Sequence, residues 1–116
     1  MTASGELLIV DALTDSDRLS EVAHVRRFVE AMVQACDLRP VFTHLEEFPN
    51  GTDFGPGITA VAILTESHLV VHTAPNRKSL HVDLFSCRTI KAAVVLNLLG
   101  EFFPKVDIRR WEVLER

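Results

Sequence analysis

Two short stretches hold most of the side chains able to do chemistry: Thr65-Glu66-Ser67-His68-Leu69-Val70-Val71-His72-Thr73 and Val82-Asp83-Leu84-Phe85-Ser86-Cys87. They put a serine in a tight connection, a histidine five residues later and a thiol at the end of the next strand but one. A hydroxyl, an imidazole and a thiol are the usual parts of nucleophilic and acid–base catalysis. Imidazole suits proton abstraction because its reference pKa of about 6.5 leaves neutral base at cellular pH. Spacing alone does not make the three meet. Each also has a plain structural use: Ser67 as a turn former, His72 as a satisfied strand residue, Cys87 as core filler. A thiol hydrolase built on Cys87 and His72 lacks a visible orienting Asp or Asn and a helix start for the thiol. No metal is expected, since Cys36 and Cys87 are not paired at ligand spacing and the five histidines are scattered.

The elements that must position these groups can be read from periodicity. Residues 6–12 form a first strand around Leu7, Leu8, Ile9 and Val10, and Thr14, Asp15, Ser16 and Asp17 offer helix-capping side chains. Leu19, Val22, Val29, Met32, Val33 and Cys36 recur at helical spacing over residues 18–36. Pro40 marks a break, residues 41–46 a short strand, and 48–57 a loop dense in Pro, Gly, Asn and Asp. Strands follow at 58–64, 69–73 and 80–85, with a turn at Pro75, Asn76 and Arg77 between the last two. Thr89 is placed to cap a second helix through Ile90, Ala93, Val94 and Leu98, ending near Gly100 and Pro104; residues 106–113 give a last strand.

The order β-α-β-β-β-β-α-β with hairpin-length links predicts an α+β fold: a two-layer α/β sandwich, its antiparallel sheet carrying both helices on one face. The other face must also be hidden. A homodimer that stacks two sheets into a four-layer sandwich would do so.

At 116 residues the chain is expected to be one domain, and 47% hydrophobic with 24% charged residues is ordinary globular composition. A net charge of −4 argues against a nucleic-acid partner. The longest clean apolar run, residues 58–64, is too short to span a bilayer, and no basic region precedes the first apolar stretch, so the expectation is a cytoplasmic protein without a membrane partner.

Glu-Ser-His-Leu at 66–69, the histidine five residues after the serine, and Val-Asp-Leu-Phe-Ser-Cys at 82–87 closely resemble the short prokaryotic form of S-adenosylmethionine decarboxylase. The resemblance is close from Gly57 to Cys87 and architectural outside it. It implies self-cleavage between Glu66 and Ser67 into fragments 1–66 and 67–116, with residue 67 becoming a pyruvoyl cofactor. In the family the histidine matching His72 acts in the proton abstraction, and the cysteine matching Cys87 gives a proton to the substrate carbon. Thr59 stands where the family has a small hydroxyl residue at the processing site, though Thr is a natural strand residue too. The small-molecule substrate would be of amino-acid type, in polyamine biosynthesis.

The sequence departs from the family around the substrate. The family's loop aromatic falls, without a gap, at Asp53, next to Phe54; its Thr-Trp-Pro-Glu reads Thr73-Ala74-Pro75-Asn76 here. Two readings follow. In one, a loop shift lets Phe54 stack on adenine and the substrate is S-adenosylmethionine. In the other, Ala74 and Asn76 mark a rebuilt pocket in which Asp53 pairs with the cationic tail of L-arginine or L-ornithine. A non-catalytic, uncleaved binding homologue is the reading from a different class.

Overall fold

A computed structural model describes residues 4–49 and 53–116. Six strands form one antiparallel sheet: β1 (Glu6–Leu13), β2 (Pro40–Phe48), β3 (Gly57–Leu64), β4 (Ser67–Ala74), β5 (Ser79–Ser86) and β6 (Asp107–Glu115), in spatial order β2-β3-β4-β5-β1-β6. Two helices, α1 (Val22–Ala35) and α2 (Ala92–Phe102), join it. This is the α+β two-layer sandwich expected from the order of elements.

Period-two alternation decides what each face of the sheet carries. Leu8, Val10, Ile58, Ala60, Ala62, Leu69, Val71, Leu80, Val82 and Leu84 are buried against the helices. From α1 come Val25, Phe28, Val29, Met32 and Val33, the apolar stripe of an amphipathic helix. Phe103, just past α2, meets Phe28 edge-on with ring centroids 5.4 Å apart, and His24 Nε2 lies 2.7 Å from the Phe102 carbonyl. The intervening strand residues point the other way, onto an outer face with no helix: Phe42, Thr59, Val61, Ile63, His68, Val70, His72, His81, Asp83 and Leu114 share it by register.

Helix boundaries differ from the periodicity in instructive places. Ser16 does cap, accepting from the Arg18 amide at 3.1 Å, but what it starts is a 3-10 turn (Asp17–Ser20); α1 begins only at Val22. At the other end Asp37 takes a left-handed φ of 55° and the Leu38 amide donates back to the Val33 carbonyl at 2.9 Å, a helix stop that needs no glycine. Thr89 does not cap α2. The cap position is Lys91, without a side-chain bond, because the Ile90 amide is held by Glu6 Oε1 at 2.7 Å and the chain turns into the helix after it. α2 does end near Gly100 and Pro104, at Phe102 between them; Gly100 itself lies in open space within the helix.

Candidate active site

Ser67 opens β4 directly after a two-residue turn, Thr65-Glu66, with Leu64 and Ser86 as ladder partners. The turn is tied down by the Thr65 amide donating to the Arg39 carbonyl at 3.0 Å. Neither Thr65 nor Glu66 has a positive φ, so the turn holds no left-handed strain. Cys87 follows Ser86 at the end of β5, beside Ser67, and its thiol is free and exposed. A side chain at Gly5 would press on the Ser86 carbonyl and approach the Cys87 Cα to 3.1 Å, so glycine lets the chain pass close to this corner. Cys36, the other thiol, is packed against the core, and burial pushes its pKa up, partly offset by Lys91.

His72 sits near the far end of β4, about 16 Å away by five residues of extended strand. An odd separation also puts it on the opposite face: Ser67 is in phase with Leu69, Val71 and Thr73 on the helix side, His72 with His68 and Val70 outside. Within one chain, therefore, Cys87 follows the ladder partner of Ser67, and His72 lies apart from both. His72 Nδ1 is 2.9 Å from Thr59 Oγ1, its neighbour across the β3–β4 ladder, which orients the ring and leaves Nε2 free. Burial first, then the charge of His81, hold the His72 imidazole below its ordinary pKa and favour neutral base.

His72 opens onto a cavity of about 350 Å³ lined by Phe48, Phe54, Pro56, Ala74, Arg77 and His81, with Gly55, Gly57 and Ser79 between them. The Arg77 guanidinium lies over the Phe54 ring, 4.7 Å from its centroid. Asp53 is exposed in the adjoining turn and does not line the cavity, and no carboxylate is among the described lining residues. Asn76 is also outside the lining: its amide packs where a Gly55 side chain would be, and Gly55 has a φ of 86°. Ala74 does line it, and its small size helps open the space. Among the described residues no group of three or more His, Cys, Asp and Glu is placed to hold a metal, and no helix is long and apolar enough to cross a membrane.

Three lining residues, Phe48, Arg77 and His81, were not singled out by motif. His81 has a signal: a turn at residues 75–77 pairs position 72 with 81, so two histidines on one face follow from the hairpin.

A two-layer α+β sandwich bearing an exposed Glu-Ser hairpin, a thiol beside it and an oriented histidine over a cavity defines a class of small enzyme-like domains. Comparison with known proteins makes the class specific: a family model described as S-adenosylmethionine decarboxylase matches residues 6–114, and the chain belongs to that family. Relatives named S-adenosylmethionine decarboxylase proenzyme include one from Geobacillus kaustophilus, 30% identical over 93 residues, covering 74% of this chain and 68% of the relative. One from Clostridium botulinum is 27% identical over 116 residues, covering 94% and 93%. One from Aquifex aeolicus is 31% identical over 74 residues, 63% of this chain, and this match spans only 50% of the relative's length. A crystal structure of the adenosylmethionine decarboxylase from Aquifex aeolicus shares the fold, with TM-score 0.78 and 22% identity over 100% of this chain and 92% of that one.

Proposed function

We propose that this chain is a self-processing, pyruvoyl-dependent decarboxylase of S-adenosylmethionine whose active site is assembled from two copies. The observation that carries this reading is the division of one catalytic set between the two ends of β4, on a sheet with an uncovered apolar face. Phe42, Ile63 and Leu114 on that face are 58%, 50% and 44% exposed, an unusual display for a face without a partner. Two such sheets stacked about a two-fold axis that crosses β4 at right angles run their strands in opposite directions. The His72 end of one copy then lies over the Ser67 and Cys87 end of the other; the Ser67 side chain is in phase with the helix side, so it is the exposed Thr65-Glu66 turn and the residue 67 backbone that this reading brings to the seam.

Each residue has a task in that arrangement. The Ser67 hydroxyl attacks the Glu66 carbonyl, the amide C–N bond breaks, and an ester joins the two segments. His72 from the other copy takes the Cα proton of residue 67 through Nε2, while Nδ1 donates to Thr59 Oγ1. The electron pair expels Glu66 as a carboxylate; water then releases ammonia and leaves a ketone at residue 67. The exposed hairpin and the thiol beside it fit such a group, which supplies an electron sink for loss of carbon dioxide. Cys87 is placed to return a proton to the substrate carbon.

The cavity favours a nucleoside over a basic amino acid. Phe48 and Phe54 offer aromatic faces, whereas the tail of arginine or ornithine would meet Arg77 and two histidines instead of Asp53. Intact mass should show fragments 1–66 and 67–116, the latter blocked at its N-terminus, and one uncut chain for Ser67→Ala. Carbon dioxide release should be fastest with S-adenosylmethionine, and Phe54→Ala should raise its KM about 2- to 10-fold, the range expected for one stacking contact. A wild-type chain that stays whole overturns the processing; faster turnover of arginine or ornithine overturns the substrate.

A further inference from the structure

The cavity holds a second histidine, and it is more firmly oriented than the first. His81 on β5 is the ladder partner of His72 on β4, and the two rings face each other with centroids 6.5 Å apart and planes 26° from parallel. On its other side His81 Nδ1 donates to Asp11 Oδ1 of β1 at 2.7 Å, which fixes the ring plane and keeps a proton on Nδ1. Arg110 of β6 stands 3.9 Å from the second oxygen of Asp11 and also binds Glu112 at 2.7 Å, so the carboxylate is itself held from the sheet edge. A chain of contacts thus runs across four strands and ends on the ring that the self-cleavage reading uses as its base.

We propose that His81, held by Asp11, is a positioning residue for His72: it backs the His72 ring and sets the pH range in which Ser67 can be processed. This rests on the self-cleavage reading above. His72 is faced from β3 by Thr59, with Glu46 of β2 beyond it and already paired with His44 at 3.1 Å. From β4 itself comes His68, from β5 Asp83 two residues beyond His81, and from the cavity wall Arg77. Among these neighbours His81 is the one whose charge lowers the proton affinity of His72, adding to the effect of burial. The imidazole facing His72 is therefore an electrostatic partner as well as a packing one. Two unit charges at this spacing, in a site open to solvent, shift a titration by about half a pH unit or more.

The test separates this role from mere packing. In a Ser67→Ala background, which cannot be cut, the His72 imidazole is titrated by NMR. His81→Phe keeps a ring and removes the charge, so the His72 midpoint should rise by about half a pH unit toward 6.5. His81→Lys keeps a charge and should hold the midpoint at or below the wild-type value. In chains with Ser67 intact, the acid limb of the cleavage rate should move up by the same amount in His81→Phe, slowing the cut up to about twofold at pH 6 and about threefold at pH 5, with little change at pH 8. A His72 midpoint and an acid limb that stay put in His81→Phe overturn the proposal. A wild-type chain uncut at every pH overturns the self-cleavage reading instead, and the NMR titration still decides whether His81 acts on His72.

Discussion

Cys87 and Cys36 carry the same thiol into opposite circumstances, one exposed at a strand end beside Ser67, the other packed against the core and pushed toward its protonated form. The proposed proton return by Cys87 makes a specific demand: Cys87→Ser should be cut like wild type but lose about 100-fold in kcat, the scale of a removed general acid, while Cys36→Ala should keep its kcat. Equal cutting and equal kcat in Cys87→Ser would reduce the residue to packing. His72 has its own signature. Its folded form binds protons less readily than the unfolded chain, so stability is full above about pH 6.5, falls as pH drops through that value, and levels off below the lower folded pKa. Urea midpoints of Ser67→Ala between pH 7.5 and 5 should show this slope, and adding His72→Gln should flatten it. Ser67, His72 and Cys87 stand out in the sequence because a motif names residue types at spacings, and their catalytic roles remain the proposal. Their separation was legible too, in principle, because five residues along a strand always end on the opposite face. Asp53 and Asn76 lie outside the cavity lining: counting along a loop fixes sequence position but not which side chain faces the cavity, and there Phe54, itself 64% exposed, borders it while Asp53 stays in solvent.

At the scale of elements, β4 is the strand that matters, and its far end is pinned from the helix side. Thr73, fully buried, donates from Oγ1 to the Leu19 carbonyl at 2.8 Å and accepts from the Ile58 amide at 3.2 Å. These bonds tie the 3-10 turn and the start of β3 to the residue next to His72. Thr73→Val keeps the volume and removes both, leaving a buried carbonyl and amide unpaired at a cost of about 1–3 kcal/mol. A thermal midpoint lower by about 4–12 °C is expected for a chain of this size; an unchanged midpoint would show that water replaces the hydroxyl. The strands were easy to read from alternation, since each has one face in the core. The helix starts were harder. Glu6, distant in sequence, takes the Ile90 amide and so displaces the start of α2 from Thr89 to Lys91, a tertiary contact that no local pattern announces.

The whole molecule presents an imbalance that the single chain leaves unresolved: two helices cover one side of the sheet, and the other side shows Phe42, Ile63 and Leu114 to solvent. Alternation made that face predictable; what the proposed second copy would contribute follows only from the ends at which Ser67 and His72 lie. Processing in trans is the central claim, and mixing two defective chains tests it directly. Ser67→Ala and His72→Ala, each given a different tag, are expected to remain uncut when made alone. Made together and purified through both tags, the pair contains one complete site, formed by Ser67 of the His72→Ala chain and His72 of the Ser67→Ala chain. Intact mass should then show the His72→Ala chain cut between Glu66 and Ser67 and the Ser67→Ala chain whole. If wild type is cut and the mixed pair stays entirely uncut, the site lies within one chain and the account is wrong.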